Sequence, residues 1–422
     1  MTSFDRFQAE PSADMEKQRA ELAAIIRRNT SDDGSYQTAI GSLVMSRHTK
    51  SHDFAPVLAQ PALCIMAQGR KEVRLADEFF NYDPLNYLVV SVSMPLPPPR
   101  PSRAPAAPAG LVSTINRLSA GFAGKKGIAV RAVDDGWTVE VGGRQRLPQQ
   151  SVSKLWVAIT LLDLRDRGRA RLDEPIVVRR EDLTLFHQPI AMLVKGDGYH
   201  TTVGELLNRA LTMSDNTAND RLLTYVGGPQ AVRAMIAAKR LGDIRFGPGE
   251  RLLQAKTAGL TWQPAFAMAG AFQAARNRLD PAARTAALNA YVNDPPDGAA
   301  PIAIADALAR LARGELLSET STRILIDTME ASRTGHARLR AAVPSGWTIA
   351  HKTGTGQDLG RRNAGFNDVG LLTAPDGRRF AIAVMIGDTT EDIRKRQLLI
   401  QNVAAAVADA AGPPRGPVAV AN

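Results

Sequence analysis

Three short motifs stand in a fixed order along this chain and constrain it more than any other feature. They are Ser-x-x-Lys at residues 151–154, Ser-Asp-Asn at 214–216 and Lys-Thr-Gly at 352–354. A single pattern of this kind arises by chance, because its residues are common. Three in one order, each in a suitable local context, indicate a serine nucleophile supported by a lysine.

The first motif is predicted to lie at the start of a helix. Pro148 precedes it, and an apolar run of good helix formers follows over 155–162. Positions i and i+3 share one helical face, so the Lys154 amine should lie near the Ser151 hydroxyl. A serine hydroxyl needs an adjacent base, and a desolvated lysine with a lowered pKa can fill that role. The alternative is a capping serine followed by a surface lysine.

The second motif follows a helix predicted over 202–213, in which Glu205 is placed as a capping-box partner. A buried second hydroxyl, that of Ser214, can relay a proton to a leaving amine. The Asn216 amide can hold both a substrate carbonyl and Lys154. The alternative is a loop with Asx-turn residues.

The third motif ends a predicted strand over 347–350. A strand edge beside the nucleophile can hold an acyl substrate by strand addition, and Lys352 would supply positive charge for a substrate carboxylate. Gly354 permits close approach of the backbone. The alternative is an ordinary strand with a solvated lysine and a Thr-Gly turn.

The segments around the motifs predict an α/β (α+β) fold. Strands over 127–133 and 137–141 form a hairpin at Asp-Asp-Gly, and strands over 367–373 and 380–386 form another at Pro-Asp-Gly. Residues 391–411 are predicted to be a helix on that sheet. Early and late strands would thus share one antiparallel sheet beside a mostly helical middle.

Residues 110–411 resemble the class A serine β-lactamases. Beyond the three motifs, the resemblance rests on residues 211–219, 311–318, 325–330 and 344–350. It implies the serine β-lactamase/penicillin-binding fold, an antiparallel sheet with a helical domain.

The resemblance also implies roles for individual residues. Ser151 is the acylated nucleophile, Lys154 its general-base partner, and Ser214 the proton relay. The backbone N–H groups of Ser151 and Thr355 would form the oxyanion hole. The implied substrate-binding residues are Asn216, Lys352, Thr353, Gly354, Thr355, His187 in the position of an aromatic wall, and Arg361 or Arg362 facing the substrate carboxylate. An ordinary surface histidine is the alternative for His187.

The resembled family activates its deacylating water with a glutamate in the pattern Glu-x-x-Leu-Asn. Glu250-Arg-Leu-Leu-Gln254 comes close, and Gln254 keeps an amide that can hold the water. Pro248 stands where the family's arginine is expected, and extra residues occupy about 262–293. Asp297 is expected to match the acidic anchor of this loop. The alternative for Glu250 is a solvated carboxylate after a Gly-Pro-Gly turn.

The first 96 residues form a separate part. Short strands are predicted between 61 and 90, with turns at Gly69, Asp77 and Asp83. Residues 53–96 resemble part of the cupin-like N-terminal domain of AraC-type transcriptional regulators. The remainder of that barrel and its helix-turn-helix domain are missing, so we expect no DNA binding. A small β appendage of the enzyme is the alternative.

Seven prolines between 95 and 108 predict an extended linker. The expected domains are therefore a partial AraC-type segment at 1–96, a linker at 97–109 and a catalytic domain at 110–422.

Composition is typical of a soluble enzyme. The net charge of +10 is spread along the chain without aromatic interleaving, so no nucleic-acid partner is expected. The single cysteine excludes an intrachain disulfide, and the histidines lack metal-ligand spacing, so no metal or cofactor is expected. No apolar run is long enough to span a membrane. Residues 1–30 include five acidic side chains and no apolar core, so they do not form a signal peptide. We therefore expect a cytoplasmic monomer as written, although the resembled family is periplasmic.

Three functions remain open. The first is hydrolysis of a β-lactam amide through a Ser151 acyl-enzyme, deacylated by a water that Glu250 activates. The second is a penicillin-binding D,D-peptidase or esterase, which would not need Glu250. The third is a regulator fragment whose N-terminal segment binds an effector.

Overall fold

The computed structural model describes residues 105–268 and 270–412, together with 13–40, 42–49 and short stretches between 58 and 95. The chain divides into two compact units, Met1–Arg103 and Ala104–Asn422. Their boundary falls within the proline-rich segment 97–109.

The described part of the first unit contains one helix, Ala13–Asn29, and antiparallel strand pairs. The pairs are Gly34–Gln37 with Val44–Arg47, Leu58–Ala59 with Met94–Pro95, Ala62–Cys64 with Leu88–Val90, and Lys71–Leu75 with Glu78–Tyr82. They confirm the predicted short strands. Gly69 has a φ of +81°, consistent with its predicted turn. The predicted turns at Asp77 and Asp83 lie outside the described residues.

A five-stranded antiparallel sheet organises the second unit. Its strands, labelled in chain order, are β1 (Lys125–Ala132), β2 (Thr138–Val141), β3 (Thr348–Thr355), β4 (Phe366–Thr373) and β5 (Arg379–Asp388). The spatial order is β2-β1-β5-β4-β3. Both predicted hairpins are confirmed, and Gly136 and Gly377 supply the positive φ that their turns require. Early and late strands therefore share one sheet, as the sequence predicts.

The helices of the second unit are α1 (Ala109–Ala120), α2 (Lys154–Asp166), α3 (Val203–Asn208), α4 (Asn216–Tyr225), α5 (Gly228–Ala238), α6 (Glu250–Thr257), α7 (Ala271–Asn277), α8 (Pro281–Asn293), α9 (Pro301–Ala312), α10 (Glu319–Glu330) and α11 (Ile393–Ala411). A π-helical turn, Arg209–Met213, continues α3. The 3₁₀ turns are Gln150–Ser153, Arg180–Asp182, Pro189–Leu193, Pro264–Ala267 and Leu339–Ala342. Two-residue to four-residue strand pairs join Leu147–Pro148 to Gly298–Ala299, Pro175–Val178 to Tyr199–Thr202, and Asp358–Leu359 to Arg362–Asn363.

Strand alternation divides the core into two layers. On β5, Ile382 and Val384 pack with α1 and α11, whereas Ala381 and Ala383 belong to the layer that contains α9. Helix α2 is the centre of the helical layer. Its residues 154–162 are all buried, because the helix is surrounded by protein on every side.

The extra residues around 262–293 fold into a 3₁₀ turn and helices α7 and α8. Phe266 and Phe272 form a small aromatic core there, with ring centroids 5.5 Å apart. Helix α8 packs Leu288, Tyr291 and Val292 against Leu253 of α6. The insertion is thus a packed extension of the loop that carries Glu250.

Across the part of the chain that the structure describes, no helix combines the length and apolarity that crossing a membrane requires.

Candidate active site

Ser151 lies in the 3₁₀ turn that leads into α2, at the predicted helix start. The two residues before it are held firmly. Gln149 Nε2 donates to the backbone oxygens of Arg245 (2.9 Å) and Asp297 (2.6 Å). Gln150 adopts a left-handed φ of +54°, and its N–H donates to Asp297 Oδ2 at 2.8 Å. These bonds fix the backbone that presents Ser151.

Lys154 is 1% exposed, and polar partners surround its ammonium group. Nζ donates to Ser214 O at 2.7 Å and to Asn216 Oδ1 at 2.6 Å, and it lies 3.5 Å from Glu250 Oε1. Burial lowers the pKa of Lys154, while Glu250, Asp215 and other acids oppose the change. A lysine in this environment can take a proton from a neighbouring hydroxyl.

Ser214 ends the π-helical turn in a left-handed conformation, with φ +58°. Its Oγ accepts a hydrogen bond from Lys352 Nζ at 2.9 Å and lies 3.5 Å from Lys154 Nζ. Lys352 is fully buried on β3, and burial followed by repulsion from Lys154 lowers its pKa well below the usual value. The Ser214 hydroxyl therefore lies between two lysines, where it can pass protons.

Asn216 begins α4, and its amide orientation is determined by its neighbours. The side-chain oxygen accepts from Lys154, and Nδ2 donates to Leu185 O at 2.9 Å. Asp215 caps the same helix by accepting from Ala218 N at 2.9 Å.

Glu250 is the first residue of α6 and is 4% exposed. Asp220 on α4 caps this helix: its two carboxylate oxygens accept from Glu250 N (2.9 Å) and Arg251 N (3.2 Å). Gln254, one turn along, donates from Nε2 to Glu250 Oε2 at 3.3 Å. Burial, with the nearby Glu250 charge, raises the pKa of Asp220 to about 6.

One cavity of about 310 Å³ collects most of the predicted site residues. Its lining includes Ser151, His187, Ser214, Asn216, Glu250, Gln254, Thr353 and Thr355. The lining does not include Lys154, Lys352 or Gly354. The two lysines hydrogen-bond to Ser214, and the backbone oxygen of Gly354 accepts from Arg338, so all three contact residues of the lining. A larger groove of about 720 Å³ beside α5 contains none of the motif residues. The cavity at Ser151 is therefore the candidate active site.

Gly354 allows β3 to approach the nucleophile. A Cβ at this position would lie 2.3 Å from Gln149 O, so only glycine fits. His187 also lines the cavity, and its Nε2 lies 2.8 Å from Met213 O.

The structure does not bring Arg361 or Arg362 to the cavity. Arg361 is exposed, and the guanidinium of Arg362 forms a two-bond ion pair with Asp388 on β5 and donates to Asn289 Oδ1 at 2.6 Å. Neither residue lines the cavity. The arginine of the cavity is Arg338.

Arg338 belongs to the loop before β3. It donates to the backbone oxygens of Gly354 (3.0 Å) and Asn367 (2.7 Å), and also to Thr355 Oγ1. Its guanidinium lies 3.7 Å from the centroid of the Phe366 ring. Burial lowers the pKa of Arg338 to about 10, so it remains a cation at neutral pH. No motif marks this residue, because its position depends on how the loop folds back over β3 and β4.

Other cavity residues that the motifs do not predict are Phe186, Thr334, Gly335, Gly356 and Gln357. Thr334 Oγ1 lies 2.9 Å from Thr353 Oγ1, and Gln357 Nε2 donates to Gln254 Oε1 at 3.1 Å. Each reaches the site through tertiary packing.

The family model described as the beta-lactamase enzyme family matches residues 110–411. The chain belongs to this β-lactamase family. Extended-spectrum beta-lactamase PER-1 of Pseudomonas aeruginosa is 30% identical over 285 residues, which are 67% of this chain and 82% of that relative. Beta-lactamase Toho-1 of Escherichia coli is 28% identical and spans 59% of this chain and 72% of its own.

Solved β-lactamases share the fold of about 71% of this chain. A crystal structure of a beta-lactamase from Chitinophaga pinensis DSM 2588 matches with a TM-score of 0.59 and 26% identity, covering 71% of this chain and 99% of that one. An ancestral class A beta-lactamase matches with a TM-score of 0.56 and 30% identity over 71% of this chain and 99% of its own. The fold and class that the motifs predict are thereby confirmed.

A second family model, the AraC-type transcriptional regulator N-terminus, matches residues 39–112. The match confirms the predicted resemblance of 53–96 and extends it at both ends. It overlaps the β-lactamase match at 110–112.

Proposed function

We propose that the chain hydrolyses β-lactams through an acyl-enzyme on Ser151. The observation that carries the proposal is that Ser151 and Glu250 line one cavity, with Lys154 Nζ 3.5 Å from Glu250 and 2.7 Å from Ser214 O. An acylating serine and a carboxylate that can activate the deacylating water thus lie in one site, as two-step hydrolysis requires.

Acylation begins when Ser151 Oγ attacks the lactam carbonyl and its proton passes to Lys154. The lactam C–N bond breaks as the proton reaches the leaving nitrogen through Ser214, whose hydroxyl faces both lysines. The N–H groups of Ser151 and Thr355 stabilise the tetrahedral oxyanion.

Side chains on two walls of the cavity orient the substrate. Arg338, with Thr353 and Thr355, attracts the carboxylate of the substrate, while the Asn216 amide and His187 face its acyl side chain. A buried guanidinium suits this task because it stays charged and presents several donors in fixed directions.

Deacylation requires a water held between Glu250 and Gln254. Glu250 removes a proton from this water as its oxygen attacks the ester carbonyl. The tetrahedral intermediate then breaks its bond to Ser151 Oγ, which takes back the proton from Glu250 as the acid product leaves. Gln254 replaces the asparagine of the family pattern but still offers an amide beside Glu250.

The test uses the full chain and a chromogenic cephalosporin. Ser151→Ala should lower turnover by roughly 10⁴-fold or more, since the nucleophile is lost. Glu250→Gln should still be acylated, and mass spectrometry should show the acyl-enzyme accumulating at Ser151. Glu319→Gln, an exposed change on α10, is the matched control and should retain full turnover.

Acylation of the unaltered chain at Ser151 without turnover would refute hydrolysis. It would favour the second candidate, a penicillin-binding D,D-peptidase or esterase. Equal turnover in Glu250→Gln and the unaltered chain would remove Glu250 from the deacylation step.

A further inference from the structure

Tyr291 lies on α8, within the inserted segment, and is 5% exposed. Its hydroxyl accepts a hydrogen bond from Gln150 Nε2 at 2.7 Å and donates to Asp297 Oδ2 at 3.1 Å. Gln150 immediately precedes the nucleophile. A phenol from the insertion therefore contacts the segment that presents Ser151.

The side-chain amide of Gln150 has a single orientation that satisfies its neighbours. Its Nε2 faces Tyr291 and also Ala364 O (3.2 Å), a backbone oxygen that can only accept. Its Oε1 therefore points the other way and accepts from Gln254 Nε2 at 2.9 Å. Tyr291 supplies one of the two acceptors that hold this orientation.

Gln254 extends the same chain of hydrogen bonds to Glu250. Its Nε2 donates to both Gln150 Oε1 and Glu250 Oε2, and its Oε1 accepts from Gln357 Nε2. A rotation of the Gln150 amide would present an N–H group to the Gln254 N–H group. The two donors would repel, and Gln254 would no longer hold Glu250 in place.

We propose that Tyr291 is a positioning residue for deacylation: it fixes Gln150, and through Gln150 and Gln254 it fixes Glu250. The inference rests on the proposed function, because it assigns Glu250 to the deacylating water. It gives the insertion a role, since helix α8 brings the phenol to the buried end of the hydrogen-bond chain.

Tyr291→Phe removes the hydroxyl and keeps the ring. Of the two hydrogen bonds that are lost, the one from the neutral Gln150 amide holds Gln150, and its loss should slow deacylation by about fivefold to tenfold. When deacylation limits turnover, kcat and KM fall together and kcat/KM is unchanged, because acylation is unaffected. Mass spectrometry during turnover should show a larger acylated fraction than in the unaltered chain.

The matched control is Tyr225→Phe. The Tyr225 hydroxyl also donates to a carboxylate, that of Glu174, but neither residue lines the cavity. This variant should keep both kcat and KM. A second test places Tyr291→Phe in a Gln150→Leu background, where it should have no further effect if Tyr291 acts through Gln150.

Unchanged kcat and KM in Tyr291→Phe would overturn the proposal. A lower kcat with unchanged KM would also overturn it, because that result reports a smaller active fraction. If Tyr291→Phe fails to fold, Gln150→Leu carries the test and should show the same joint fall. Absence of turnover in the unaltered chain would instead overturn the proposed function, which Glu250→Gln tests separately.

Discussion

Asp220 carries a stability penalty that depends on pH. Its carboxyl is buried beside Glu250, and its pKa rises from 3.8 to about 6. Because one pKa unit corresponds to about 1.4 kcal/mol, ionising this carboxyl in the folded protein costs about 3 kcal/mol relative to the unfolded chain. We therefore predict that Asp220→Asn removes a pH-dependent contribution of this size to the free energy of unfolding.

The sign follows from proton binding. Between pH 4 and 6 the folded protein keeps the Asp220 proton that the unfolded chain has already released. The contribution of Asp220 to stability is thus present below pH 4 and is lost as the pH rises through about 6. The free energy of unfolding of the unaltered protein, minus that of Asp220→Asn, should fall by about 2.4 kcal/mol from pH 4 to pH 7, because part of the full effect already lies below pH 4.

Tryptophan fluorescence during urea unfolding suits the measurement. All four tryptophans, Trp137, Trp156, Trp262 and Trp347, lie in the second unit, so the signal reports that unit. Asp392→Asn is the control, because this exposed capping residue has a lowered pKa. The difference in free energy of unfolding between the unaltered protein and Asp392→Asn should therefore change little above pH 4. Parallel stability curves for Asp220→Asn and the unaltered chain would refute the reasoning.

Four further predictions concern cavity and framework residues. Arg338→Leu should raise KM about tenfold or more for an anionic β-lactam but not for its carboxylate ester, as steady-state kinetics would show. Gly354→Ala should abolish activity, because its Cβ would collide with Gln149 O; circular dichroism would establish whether the fold persists. Burial also raises the Asp297 pKa to about 6, so ionisation of this carboxyl lowers the free energy of unfolding as the pH rises from 4 to 7. Asp297→Asn should abolish that decrease, as urea titrations at several pH values would show. Thr202→Ala should lower the free energy of unfolding by about 1 kcal/mol in urea titrations through loss of the α3 cap.

Local chemistry explains what the sequence predicts well. Asp-Gly turns define both hairpins, and the spacing of Ser151 and Lys154 places them in consecutive turns at one helix start. Thr202 caps α3 as its pattern indicates, with Oγ1 accepting from Glu205 N at 3.2 Å. These features depend on residues within about one turn of each other, so a single sequence contains the information.

Cross-strand pairing explains why Arg362 lies away from the cavity. Asp388 is 26 residues further along the chain, yet strand pairing brings it next to Arg362 and binds the guanidinium with two hydrogen bonds. Arg338 was missed for the related reason that a loop with no motif carries it to β3. Residue type alone does not reveal which arginine is held by an acidic side chain on a neighbouring strand.

The arrangement around Ser214 explains why two buried lysines are tolerated at one site. Each ammonium alone would be costly to bury, and their mutual repulsion adds to that cost. Glu250 and Asp215 oppose it at Lys154, and Ser214 Oγ accepts from Lys352. The positive charges of the two lysines are thus offset by the nearby carboxylates and by the hydrogen bond to Ser214. A proton can therefore move between these groups while the total buried charge stays the same. The same compensation makes each of these groups costly to remove singly, so conservative substitutions are the informative ones.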